Sequence, residues 1–410
     1  MKKHLLSIAL ISSVIATAQM EEDSVSIGAG YTDKVFYSFE NGEVGSLDNT
    51  LWDFAFQTTL RGSGIRINGT REVVLKSYLN GDTADWNNID TVGYSTWFEL
   101  NNADTTWSDG AFNQMPNSDF DLGWGEYSMI THAVTGDSLF LYEDENNHIR
   151  KVWIQSLANG IYSFKLADLD GSNELVKTLN KTDYNSNFVY LDIDNDVIID
   201  DEPASDEWDI VFNKYKTELY PGTMYGVTGV QLNDGVFAQK VTGDIVDNLV
   251  HNDESFTHHI KSIGYDWKSI NYQTYQWSIE DSTAYFVKAA NEDIYKLVFS
   301  GFGGSSDGKF YFGTERLSLA SAEDINVEVN TSLYPNPAME VVTMNLNTRE
   351  AGQALINIYD FTGRVVMQSV QILNLGSNEI YINIEKLPAG QYIVQSQVNE
   401  RITSEKLSVL

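Results

Sequence analysis

Cysteine is absent from all 410 residues. That excludes a disulfide framework, a thiolate metal centre and a lipid anchor on cysteine. Basic residues are scarce as well, with 26 Lys and Arg against 58 Asp and Glu. The resulting field repels phosphate backbones, so nucleic acid is not an expected partner. Residues 331–410 hold only five of the basic and seven of the acidic residues, so nearly all the excess charge lies upstream. Histidine occurs six times, which limits imidazole chemistry to a few named positions. After the first twenty residues no apolar run approaches the ~20 residues of a membrane span. Missing too are Gly-x-Ser-x-Gly, His-Glu-x-x-His and a phosphate-binding glycine loop, so a non-enzymatic protein is expected.

What remains is rich in aromatics, 12% of the chain, set among Thr, Val, Ile and Gly. Such residues fit a pleated, half-buried surface, and the fold class expected is all-β and antiparallel. Lys2 and Lys3 precede an apolar stretch (5–16) and Ala16-Thr17-Ala18. This layout predicts a secretory signal peptide over residues 1–18, hence export through the periplasm.

The chain matches itself. "VFYSFENGEVGSLDNTLWDFAF" (35–56) aligns with "FVYLDIDNDVIIDDEPASDEWDIVF" (188–212), and "GIRIN" (64–68) with "GVQLN" (229–233). Further on, "LGWGEYSMI" (122–130) aligns with "IGYDWKSI" (263–270), and "DSLFLYEDENNHIRKVWI" (137–154) with "STAYFVKAANEDIYKLVF" (282–299). Four matches in one order predict two tandem copies, over 22–175 and 183–318. The last pair reads as β-hairpins turning at Asn146-Asn147 and at Asn291, and Gly303 to Gly308 as the turn of a further hairpin. Trp52 and Trp208 are expected to pack at equivalent places. Trp86, Trp97 and Trp107, in a polar insertion, are expected to be exposed.

These blocks, together with "YFVK…YKLVF" and "KFYFG", resemble the HmuY-like family of secreted haem-binding proteins of Bacteroidota. The resemblance implies an all-β fold for each copy and haem as a ligand. It also places an axial ligand shortly before the final hairpins, where this chain has residues 125–129 and 268–272. No histidine falls there. Met129 with His132 nearby, and Tyr272 with His258, are the ligand-type residues available. The alternatives are a surface adhesion or glycan-binding module and, last, a secreted hydrolase.

Asp192, Asp194 and Asp196 suggest calcium, but an EF-hand counted from Asp192 would need Gly at Val197 and Glu at Pro203. No metal site is therefore read.

After a linker over 319–331, residues 332–410 break into short alternating runs around Thr362-Gly363, Gly376-Ser377 and Pro388-Ala389-Gly390, as a small Ig-like β-sandwich would. Tyr334-Pro335-Asn336-Pro337, Tyr359-Asp360-x-x-Gly363, Leu387-Pro388-Ala389-Gly390-x-Tyr392 and the ending Lys-Leu-x-Val resemble the type A C-terminal sorting domain of the type IX secretion system. That resemblance implies the secretion machinery as a partner and delivery to the outside or the outer cell surface.

Overall fold

The computed structural model describes residues 20–318, 331–348, 352–360, 363–374, 376–398 and 401–410. The expected signal peptide and all but the last residue of the expected linker lie outside the described residues. Two compact units divide the chain, Met1–Ala320 and Ser321–Leu410. Both are all-β, and no helix among the described residues is long and apolar enough to cross a membrane.

The first unit opens with β1 (Glu21–Ser26), β2 (Asp33–Ser38), β3 (Gly42–Asp48), β4 (Phe54–Gln57), β5 (Ile65–Ile67) and β6 (Val74–Ser77). It continues through β7 (Gly125–Ser128), β8 (Ala133–Gly136), β9 (Phe140–Glu143), β10 (Ile149–Ala158) and β11 (Ile161–Asp168). The second half runs β12 (Leu175–Asn180), β13 (Phe188–Asp192), β14 (Val197–Ile199), β15 (Ile210–Tyr220), β16 (Thr223–Leu232) and β17 (Phe237–Thr242). It closes with β18 (Lys268–Asn271), β19 (Gln276–Ile279), β20 (Thr283–Lys288), β21 (Ile294–Phe302) and β22 (Lys309–Ser318). Strand for strand, β1–β11 and β12–β22 repeat one layout.

The repeat does not fold as two consecutive bodies. β13 pairs with β4 and β12 with β11, whereas β2 pairs with β15 and β1 with β22. Each copy therefore gives its first three strands to the other. Lobe I is built from β4–β14, and lobe II from β1–β3 with β15–β22. The segments 22–175 and 183–318 are the copies expected from sequence, while the lobes are assembled across their boundary.

Among the described residues five sheets result, one of them only the β18–β19 hairpin, and strand alternation shows how the four larger ones stack. Phe54, Phe56, Val189 and Leu191 pack against Phe140, Tyr142, Val152 and Phe164, forming the core of lobe I. Val35, Tyr37, Ile210 and Phe212 pack against Tyr285, Leu297, Phe299 and Phe312, forming that of lobe II. The intervening residues Phe36, Ala55, Phe188, Tyr190 and Val211 join Trp52 and Trp208 in a third cluster between the two inner sheets. β4 and β13 are buried on both faces for this reason.

The crossing points are fixed by matched hydrogen bonds. Asp53 N donates to Leu191 O at 2.8 Å, and Asp209 N to Tyr37 O at 2.9 Å. The carboxylates of Asp53 and Asp209 accept from Ile193 N and Phe39 N, each at 2.8 Å. Asn68 Nδ2 caps the carbonyls of Asn49 and Trp52, while Asn233 Nδ2 caps those of Ser205 and Trp208. Trp52 and Trp208 are 5% and 4% exposed and meet Tyr190 and Phe36 edge-on. Their expected equivalence holds.

The hairpins also form where expected. β9–β10 turns at Asn147 and β20–β21 at Glu292, both with positive φ, and β21–β22 turns across Gly303 and Gly308. Gly123 and Gly264, before Trp124 and Trp267, have φ of +84° and +70°, a region in which a side chain is strained. The insertion corrects one expectation. Trp86 and Trp97 are buried, at 5% and 8% exposure, in a cluster with Tyr78, Leu139 and Leu141; Trp107 is half-buried. Lysines lie over these rings, with Lys165 Nζ 4.2 Å from the Trp86 centroid, so a polar-looking segment carries an apolar core.

The second unit is a two-sheet sandwich. β23 (Thr331–Tyr334), β24 (Val341–Thr348) and β27 (Gly376–Asn383) make one sheet. The other holds β25 (Gly352–Tyr359), β26 (Val365–Leu373), β28 (Gly390–Val398) and β29 (Arg401–Val409). Asn336 ties its opening motif to the end of the chain: Asn336 Nδ2 donates to Lys406 O at 2.6 Å, and Asn336 Oδ1 accepts from Ser408 N at 2.9 Å.

Candidate functional site

Met129 and His132 sit on the tip of the β7–β8 hairpin, in a turn closed by His132 N donating to Ser128 O at 2.8 Å. Ser128 Oγ accepts from Ile130 N and Thr131 N, both at 3.3 Å, which holds the tip open and outward. Met129 is 67% exposed and points into solvent. His132, with φ of 54°, turns back, and its Nδ1 lies 2.8 Å from the Tyr127 hydroxyl. That contact places the imidazole at the edge of a cleft of about 470 Å3.

The cleft is lined by Leu60, Phe120, Leu122, Val134 and Leu157, by the exposed Arg61 and Asp119, and by the buried Lys181. Leu60 is 91% exposed and Phe120 45%, so both present apolar surface at the cleft. Lys181 Nζ donates to Gly62 O at 2.5 Å and Leu60 O at 3.4 Å, which braces the loop carrying Leu60. Burial lowers the Lys181 pKa to about 8.

The other named residues lie elsewhere. Tyr272, 80% exposed, occupies the corresponding tip of β18–β19, closed by Tyr275 N donating to Asn271 O. His258 is exposed and edge-on to Phe237, with centroids 6.0 Å apart. His258 and His259 belong to no strand, so they are not held on opposite faces as strand neighbours would be; their rings lie 5.7 Å apart. His148 Nε2 is 2.9 Å from the Asp168 carboxylate, which engages it outside the cleft. His132 is thus the one imidazole lining this cleft among the described residues.

The acidic run of β13–β14 is a turn. Asp192 accepts from Asn195, Asp194 from Arg150 and Asp196 from Lys177. Among the described residues no group of three or more His, Asp or Glu is placed to hold a metal ion. Leu60, Arg61 and Phe120 were missed at the sequence level, although an exposed Leu-Arg-Gly loop after a buried strand is a readable signal.

Residues 332–410 match the secretion system C-terminal sorting domain family. That tail makes the chain a cargo of the type IX secretion system, secreted or attached to the cell surface, with the secretion machinery as its partner. No curated protein matches the chain. Among solved structures, dimeric latent PorU from Porphyromonas gingivalis aligns at 10% identity and a TM-score of 0.20, over 92% of this chain and 40% of that one. Native E. coli alpha-2-macroglobulin aligns at 9% and 0.17, over 95% and 23%. The chain thus spans less than half the length of either, and at such TM-scores neither likeness bears on the fold or function of the first unit.

Proposed function

We propose that the protein is a non-catalytic, externally delivered capture protein, whose first-lobe cleft takes a small planar apolar ligand bearing carboxylates. Haem or a related porphyrin is the leading case. One observation carries this reading: exposed Leu60 and Phe120 flank a roomy cleft whose edge holds one imidazole and whose lining includes the exposed Arg61 and the buried Lys181. Apolar walls with a few converging polar groups are the usual anatomy of a small-molecule site. The HmuY-like resemblance of both copies supports the same ligand class, with His132 as the axial contact in place of a pair.

Titration of the full chain with haem is expected to give a saturable Soret shift. His132→Ala is expected to weaken it about tenfold or more, and His251→Ala to leave it unchanged. Protoporphyrin IX, which lacks iron, is expected to bind the wild type and the His132→Ala variant equally. No Soret change, or equal loss in both variants, would overturn the reading.

The second-lobe tip favours an alternative, glycan adhesion. Tyr272 and Tyr275 are 80% and 76% exposed on one turn, a surface on which sugar rings could stack. Under that reading Tyr272→Ala abolishes binding to a glycan array while His132→Ala does nothing.

A further inference from the structure

The inner sheets enclose a second pocket, of about 50 Å3. A buried water needs about 10–15 Å3 on this measure, so the space suits three or four waters or one ligand of a few heavy atoms. Lys34, Arg66, Lys214 and Lys216 line it, with no Asp or Glu among the lining residues. In a chain whose acidic residues outnumber its basic ones more than twofold, this is a local reversal of charge.

Lys34 and Arg66 are each only 8% exposed. The Arg66 guanidinium donates to the carbonyls of Ala103, Thr106 and Trp107 at 2.8–3.0 Å, which fixes it without neutralising it. The Lys34 ammonium lies 3.4 Å from the Tyr190 hydroxyl and 5.6 Å from the Trp52 ring centroid. The nearby carboxylate, Glu202, accepts from that hydroxyl and from Asn187 N, so Tyr190 stands between the two charges. Three uncharged atoms complete the lining. Asn49 Nδ2, Asn213 Oδ1 and the Tyr215 hydroxyl are buried without a hydrogen-bond partner. Buried polar groups are nearly always paired. Three orphans around one space, an amide donor, an amide acceptor and a hydroxyl able to do either, describe a ligand with complementary groups.

We propose that this inter-lobe pocket binds a small 2-hydroxycarboxylate of two or three carbons, its carboxylate toward Lys34 and Arg66 and its hydroxyl donating to Asn213. The site is separate from the hairpin-tip cleft and does not depend on it. Its charge also occurs once per chain. In the repeat, Lys34 corresponds to Phe188 and Arg66 to Gln231, so the first half supplies the two buried cations, while the second half supplies the part-exposed Lys214 and Lys216.

Glycolate, lactate, acetate and inorganic phosphate, titrated into the full chain at constant ionic strength, test this by calorimetry and tryptophan fluorescence. One glycolate or lactate per chain is expected, bound about tenfold or more tighter than acetate, with a fluorescence change from Trp52 and Trp107. Lys34→Phe and Arg66→Gln, which make the halves alike, are each expected to weaken glycolate about tenfold or more. Asn213→Leu keeps both cations and is expected to bring glycolate down to the acetate level, so it decides the matter if either cation variant fails to fold. Absence of saturable binding in the wild type would overturn the proposal. So would phosphate binding tighter than either hydroxy acid, or glycolate affinity unchanged across the folded variants.

Discussion

Trp52 and Trp208 stand at equivalent places in the two lobes, yet the Trp52 indole donates to Asn49 at 3.1 Å while that of Trp208 has no partner. The same contrast recurs one strand further out, where Trp124 donates to Ser63 O and Trp267 has no partner. Asp53 accepts from Tyr142 at 2.7 Å and Arg71 at 3.0 Å; Asp209, its counterpart, has neither and sits near Glu40 and Asp293. Lobe I is the more completely satisfied copy, and lobe II keeps the frame with its polar partners thinned out. The hydrogen bonds that hold the crossing points recur in both lobes, because both depend on them. The side-chain partners beyond differ.

Deleting residues 20–48 breaks the comparison most severely. Val25, Ile27, Val35 and Tyr37 belong to the core of lobe II, whereas the core of lobe I begins at Phe54. In the full chain lacking that segment, hydrogen exchange is expected to lose protection across 210–312 and to retain it across 54–193. The opposite pattern would mean that the N-terminal strands serve their own copy.

A smaller effect separates the paired aspartates. Asp53→Ala leaves Tyr142 without its buried acceptor and Ile193 N without its partner, while Arg71 keeps Glu145 at 2.7 Å, so a loss of about 2–3 kcal/mol is expected. Asp209→Ala removes a backbone-bonded carboxylate from among like charges, and about 1–2 kcal/mol is expected. Chemical denaturation of both variants decides it, and equal losses would show that the lobes are equally satisfied after all.

The repeat was legible because its anchors are chemically specific: Trp-Asp before an apolar strand, and an Asn closing the next one. The exchange of strands was not. β2 and β13 each present apolar residues to both faces, so their patterns fit either β4 or β15, and only the chain path through 49–53 and 200–209 decides between them. Met129 and His132 were read as neighbours shortly before the final hairpins, and sequence could not show that one faces solvent and the other a cleft. Lys34 and Arg66 drew no attention in an acidic chain where cations are expected to snorkel outward. The insertion misled because polar residues outnumber the tryptophans that organise it.

The finest contrast lies where β7 and β18 begin, with Gly125 in lobe I and Lys268 in lobe II. Lys268 Nζ donates to Thr228 O at 2.5 Å and lies 4.3 Å from the Trp267 centroid and 4.7 Å from that of Phe302. Burial lowers its pKa to about 7, with Asp266 opposing the shift. A lysine whose folded pKa falls below its unfolded value binds fewer protons folded than unfolded between the two. Stability should therefore rise as pH climbs from about 7 toward the ordinary lysine range, and the full cost of the buried charge is present below pH 7. Lys268→Met removes that cost but also the cation–ring attraction, about 0.5–2 kcal/mol. The net expectation is a gain of about 1–2 kcal/mol at pH 6, shrinking to nothing or reversing near pH 10. Melting curves of wild type and variant across that range test it. A constant difference would mean that Lys268 keeps its proton throughout, and that the aromatic ring faces stabilise the ammonium more than burial opposes it.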